Sequence, residues 1–142
     1  MPLQLEIVSP ERRAFTDEVD MVIVPGIDGQ LGILPHHTRL ISALGTGELR
    51  IKKGGTEQIL FISGGFVEVR PDKVVVMAET ADMASEINLE AAQQARREAE
   101  KALSEGFTEP ADLARARAAM ERALVRIRVA ERRHREGPRQ RT

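Results

Sequence analysis

Val24-Pro25-Gly26-Ile27-Asp28-Gly29-Gln30-Leu31-Gly32-Ile33-Leu34-Pro35-His36-His37-Thr38-Arg39-Leu40 is the stretch on which the fold turns. Gly26, Gly29 and Gly32 recur every third residue, isolated apolar side chains stand between them, and Pro25 and Pro35 frame the set. Glycine tolerates positive φ and close backbone approach, whereas proline fixes φ and cannot donate to a ladder. The run is therefore neither a helix nor an uninterrupted central strand. It predicts tight turns with short strand pieces between them, at one edge of a β domain.

Working outward, the flanking sequence alternates with period two. Leu3, Leu5 and Ile7 alternate with Gln4 and Glu6, and Val19, Met21 and Ile23 with Asp20 and Val22. Leu49 and Ile51, then Val67 and Val69, repeat the pattern. Such alternation makes half-buried strands, one face on a core and one in water. Lys53-Gly54-Gly55-Thr56 and Pro71-Asp72 read as hairpin turns. Many short strands with Gly and Pro turns predict a β-sandwich or small barrel up to about Ala84.

Past Ala84 the period becomes helical. Leu89, Ala92, Ala95, Ala99, Ala102 and Leu103 recur at steps of three and four, with Ser85 or Asn88 to cap the start and Gly106 to end it. A second helix takes Pro110 in its first turn and carries Leu113, Ala116, Met120, Ala123, Leu124, Ile127 and Ala130. The link around Ser104 to Glu109 folds the pair into an antiparallel hairpin. Its seam is largely alanine, which buries little apolar area and predicts a marginal hairpin able to detach. The fold class is thus α+β.

The 142 residues suit one ordinary domain or a small domain with an appendage. There is no cysteine, which removes disulfides and Cys-ligated metals and allows a reducing compartment. No apolar run approaches a membrane span and the N-terminus lacks a signal-peptide pattern. A soluble protein inside the cell is expected, meeting a membrane only through a partner. The net charge of −1 hides an asymmetry. Met1 to Ala84 balances at −4, Ser85 to Gly106 at −2 and Phe107 to Thr142 at +5, the ten basic residues of the last part all being Arg. A segment so charged seeks an acidic surface.

Little in the chain promises chemistry. The glycine run lacks the Gly-Lys-Ser/Thr of a phosphate loop and the spacing of a dinucleotide site, so turn glycines are favoured. Ser63-Gly64-Gly65 lacks a nucleophile elbow. His36 and His37, adjacent in an extended segment, would face opposite ways and could not chelate one metal; His134 lies in the Arg-rich part. Arg115, Arg122, Arg126 and Arg133 lie near one stripe of the second helix. A solvated face accounts for about half of that helix's arginines, and docking on carboxylates for the rest. Nucleic acid is disfavoured as a partner, because no aromatics stand ready to stack bases and the remainder of the chain is acidic.

Two blocks then resemble a known family. Ile23-Val24-Pro25-Gly26 with Gly29-Gln30-Leu31-Gly32-Ile33-Leu34-Pro35-His36-His37, and Ile62-Ser63-Gly64-Gly65-Phe66-Val67-Glu68-Val69 running into Pro71-Asp72-Lys73-Val74, are similar to the ε subunits of bacterial F-type ATP synthases. Leu5-Glu6-Ile7-Val8-Ser9-Pro10-Glu11 and Val125-Arg126-Ile127-Arg128-Val129-Ala130 extend the likeness over nearly the whole chain. The resemblance implies a β-sandwich of about ten strands at 1–84 that binds the central stalk. It implies a regulatory helical hairpin at 85–136 and leaves a tail at 137–142, expected to be disordered. It also implies a non-catalytic rotor subunit that couples c-ring rotation to the catalytic head through γ and inhibits ATP hydrolysis with its helices. The implied place is peripheral, on the cytoplasmic face of the cell membrane.

By the same resemblance Gly29, Gln30, Leu31 and Gly32 meet the c-ring, with Gln30 where relatives often carry Glu. Ser9, His37 and Ser42 meet γ. Arg115, Arg122, Arg126 and Arg133 reach the acidic helix-turn-helix of the β subunits, so the partners are γ, the c-ring, and the α and β subunits. Some relatives hold ATP with Ile-Asp-x-x-Arg-Ala at the start of the first helix, and there an ATP-sensing module is the alternative reading. This chain has Ile87-Asn88-Leu89-Glu90-Ala91-Ala92, in which Asn88 and Ala91 replace the Asp and the Arg. Arg122 and Arg126 match the remaining phosphate contacts. The expectation is no cofactor, no metal and little or no ATP binding.

Overall fold

The structure, a computed structural model, describes residues 2–136, with side chains through Arg132. It parts into two compact units between Ala84 and Ser85.

Alternation builds the first unit. Leu3, Leu5 and Ile7 of β1 (Leu3–Val8) are fully buried, and Gln4, Glu6 and Val8 face out. β2 (Arg13–Val19) pairs antiparallel with β1, and β3 (Met21–Gly26) with β4 (Gly29–Ile33). β5 (Leu40–Ala43), β6 (Thr46–Lys53), β7 (Thr56–Val69) and β8 (Lys73–Met83) complete eight strands in the order β2-β1-β8-β7-β6-β3-β4, with β5 on β7. Among the described residues only β1 and β8 run parallel. The apolar core lies within this unit, and Leu49, Leu60, Ile62 and Val67 are among its fully buried members. Each such side chain contributes about 1.5–3 kcal/mol of burial free energy.

About ten strands were expected and eight are continuous, because β7 and β8 each serve two layers. The first part of β7 pairs with β6 through Thr46↔Ser63, and its last part with β5 from Ala43↔Phe66 onward. β8 follows it through both. One layer therefore runs β5, late β7, early β8, β1, β2. The other runs late β8, early β7, β6, β3, β4. The corner is Gly64-Gly65, with φ of 69° and 110°. A Cβ on Gly65 would stand 2.0 Å from the Met77 carbonyl oxygen, so only glycine fits.

β3 differs from the expected phase. Val22 and Val24 are the core residues, half-buried Met21 and buried Ile23 lie on the other face, and Val19 belongs to β2. The cause is a corner at Asp20, whose N–H donates to the Lys52 carbonyl at 2.8 Å and whose carboxylate accepts from the Gly54 N–H at 2.8 Å. A period-two count carried through a corner slips by one residue, which inverts the faces. The β6–β7 turn is as expected, with Gly54 and Gly55 at positive φ between Lys53 and Thr56. Lys53 Nζ donates to Asp17 Oδ2 at 2.7 Å across to β2. That bond, then the Glu18 N–H, holds the Asp17 carboxyl below its ordinary value of 3.8.

In the second unit, Ala84–Glu86 makes one 3-10 turn before α1 (Leu89–Glu105). Asn88 is the cap, its Oδ1 accepting from the Ala91 N–H at 3.0 Å, and Gly106 at φ 81° closes the helix. α2 (Pro110–Glu136) starts at its proline after a four-residue link and packs on α1. Ala92 and Ala99 of α1 and Ala123, Ile127 and Ala130 of α2 are buried, as the small-residue seam predicts. Ala95 and Leu124 are not part of that seam; both are exposed, Leu124 by 42%. One residue past Ala123 is a turn of about 100°, which carries Leu124 off the line. Val125 and Val129, absent from the expected stripe, are buried on another face of the same helix.

Candidate docking surfaces

The opening stretch folds into a hairpin and a loop at the end of the sheet order. Gly26 pairs with Gly29, leaving Ile27 and Asp28 as the tip. A Cβ on Gly26 would meet the Gly29 oxygen at 2.6 Å, and Gly29 has φ 132°. Of Gly29, Gln30, Leu31 and Gly32, all on β4, Gln30 offers the only exposed side chain, for Leu31 packs against the core. Ile27, at the tip, is 66% exposed.

His36 and His37 are not extended. Pro35 and His36 form a turn, His36 takes φ 68°, and its N–H donates to the Pro71 carbonyl at 2.7 Å. The demand of that bond outweighs the preference for negative φ, and the opposite-faces argument does not apply to the pair. His37 Nδ1 lies 2.8 Å from the Thr38 carbonyl oxygen. Ser9 begins a tight turn closed by Ser9 N–H to Arg12 O at 2.9 Å, and the Arg12 guanidinium donates to the Ala81 carbonyl at 3.1 Å. Ser42 pairs with core residue Val67, and its hydroxyl donates to the Ala43 carbonyl at 3.3 Å.

Between Ser9 and Ser42 lies a surface the sequence reading missed. Ala43 is opposite Phe66, Phe66 opposite Met77, and Met77 opposite Val8. All four face away from the core, since Val67, Val76 and Ile7 beside them are buried. Phe66 is 54% and Met77 44% exposed, and Ile41 on β5 is 69% exposed. Isolated exposed apolar residues are ordinary, but a contiguous set on one sheet face marks an interaction surface. A signal for it existed in Phe66-Val67-Glu68-Val69: if Val67 and Val69 point in, one of the chain's four phenylalanines points out.

The arginines fall where their spacing predicts. Steps of seven, four and seven set Arg115, Arg122, Arg126 and Arg133 along one line of α2. Arg115 bonds to Asp112 on its own helix, Arg122 is exposed and Arg126 half-buried; the Arg133 side chain and the tail at 137–142 lie outside the described residues. At the start of α1, Asn88, Glu90, Ala91, Gln93, Gln94 and Arg97 line an open hollow of about 550 Å³, and Arg122 and Arg126 are not among them. Among the described residues no cluster of three or more His, Asp or Glu could hold a metal, and no helix is long and apolar enough to cross a membrane.

A sandwich with an apolar outer face, joined to an arginine-lined helix pair, defines a two-part interaction protein. Family comparisons agree on both parts. Residues 2–84 match the ATP synthase delta/epsilon chain β-sandwich domain, and residues 85–131 match the long α-helix domain of the same chain. The ATP synthase epsilon chain of Dehalococcoides mccartyi is 47% identical over 131 residues, 92% of this chain and 94% of that one. That of Herpetosiphon aurantiacus is also 47% identical, covering 92% and 96%. In a solved structure of the Euglena gracilis mitochondrial ATP synthase, one chain superposes with a TM-score of 0.74 at 23% identity, covering 84% of this chain and 76% of that one. The chain belongs to the ATP synthase delta/epsilon chain family.

Proposed function

We propose that the chain is the ε subunit of the central stalk in a proton-translocating F-type ATP synthase. The observation that carries this reading is the exposed apolar row between Ser9 and Ser42, two of the three positions at which the family resemblance sets contact with γ. The row gives that contact the apolar centre that stable interfaces have, with the Glu6–Arg13 and Glu68–Arg70 ion pairs as a polar rim. The β3–β4 tip then meets the c-ring through Gln30, and His37 lies in the loop leading to β5. In this role the chain catalyses nothing; it links rotation of the ring to the head and is held at the membrane by its partners.

The helical unit serves as the brake on ATP hydrolysis. The line of arginines supports contact with acidic β-subunit helices, and the alanine seam supports release of the hairpin from its folded form. The brake works without bound nucleotide, because the Asn88 side-chain oxygen is committed to capping α1 and neither Asn88 nor Ala91 supplies a charge. Co-purification tests the docking: the tagged full-length chain retains γ, and Phe66→Glu loses it. Calorimetry on the isolated protein tests the last point; no heat of ATP binding is expected, and micromolar affinity would overturn it.

A further inference from the structure

The apolar row has a shape as well as a composition. Ile27 joins it, since Gly26 bridges Leu44 and the Ile27 N–H donates to the Ala43 carbonyl at 3.0 Å. Ala43, Phe66, Met77 and Val8 thus come from four neighbouring strands, and Ile27 continues their line from the β3–β4 tip. Strands lie about 4.8 Å apart, so the row is a line roughly 19 Å long, running across the strands.

Its borders carry carboxylates. The next row reads Ile41, Glu68, Val75, Glu6 by the same pairings. At the other side Asp28 follows Ile27, and exposed Glu79 faces out two residues past Met77. Glu6 and Glu68 are paired with Arg13 and Arg70, so the carboxylates that face a partner without such a pair are Asp28 and Glu79.

Three kinds of backbone could cover such a line. An added strand bonds to an edge, but these residues lie on a face whose backbone is already in the ladder. A second sheet would cover several rows together, and the neighbouring row would then bury Glu68 and Glu6. An α-helix offers one line of side chains at i, i+3, i+4 and i+7, advancing about 4.5–6 Å per contact, close to the strand spacing. About 13 residues would span the row.

We infer that the row seats a basic amphipathic α-helix of the partner protein, lying across the strands. Its aliphatic stripe packs on Phe66 and Met77, and Lys or Arg on the flank beside them faces Asp28 and Glu79. This rests on the proposed docking of the layer against γ and adds the kind of element that makes the contact.

The test uses the full-length chain in the reconstituted complex with γ. A photoreactive benzoylphenylalanine replaces Ile27, Phe66, Met77 or Val8 in turn, and cross-linked peptides are sequenced. Cross-links should advance along one γ segment by three or four residues per strand step, and that segment should carry basic flanks. Steps of two residues, or cross-links divided between unconnected segments, overturn the helix and leave the docking intact. Capture of γ from a probe at Gln30 but from no row position overturns the docking itself. Capture of a second copy's α2 in place of γ overturns both. Phe66→Glu should reduce retained γ by about tenfold or more, as for a central interface anchor. An unchanged circular-dichroism melting curve shows that the variant still folds.

Discussion

Single residues set the limits of this fold. Gly65 has positive φ and no room for a Cβ, whereas Gly54 has positive φ with nothing within 4 Å. Gly65→Ala should therefore cost on the order of 3 kcal/mol, combining backbone strain with a clash against backbone. Gly54→Ala should cost about 1 kcal/mol, the left-handed penalty alone. Urea unfolding of the two variants side by side measures the difference, and equal losses would contradict the assigned corner. Asp17 gives a pH signature. Its carboxyl is held below 3.8 by Lys53 and the Glu18 N–H, so the folded state binds that proton less readily than the unfolded chain. The stabilisation is full above the unfolded value and is lost as pH falls through the folded one. Wild type should exceed Asp17→Asn in stability at pH 7, and the gap should close at the acid end of a urea series.

At the scale of elements, what could be read in advance depended on local patterns. The faces of β1, β6 and late β7, both hairpin turns, the Asn88 cap and the Pro110 start follow from spacing within a few residues. β3 was read in the wrong phase because the corner at Asp20 is set by bonds to Lys52 and Gly54, more than thirty residues away in sequence. Leu124 stands one residue past buried Ala123, and its angle carries it outward. The docking row was the least legible feature: Val8, Ala43, Phe66 and Met77 become neighbours only through the register of four strands. Alternation told which residues leave the core, and topology alone told which of them meet. Removal of the cap tests the second unit: Asn88→Ala should destabilise α1 by about 1 kcal/mol. Faster amide exchange over Leu89 to Ala92 with the sandwich unaffected is the expected reading.

On the scale of the whole molecule, the apolar core lies between Leu3 and Met83, so truncation after Ala84 leaves it complete. The shortened chain should unfold in one cooperative urea transition and still hold γ. ATP hydrolysis by the reconstituted complex should rise, and an unchanged rate would count against the helical brake. The corner at Gly64-Gly65 has a mechanical consequence. In a sandwich whose layers meet only through side chains, a sideways load can slide one layer over the other by repacking. Here β7 and β8 pass unbroken from one layer into the other, so the layers share two covalent girders. Sliding them would require tearing adjacent ladders apart, residue by residue. The domain is stiff against shear between its layers, the property that the proposed seat between rotor shaft and c-ring would call on.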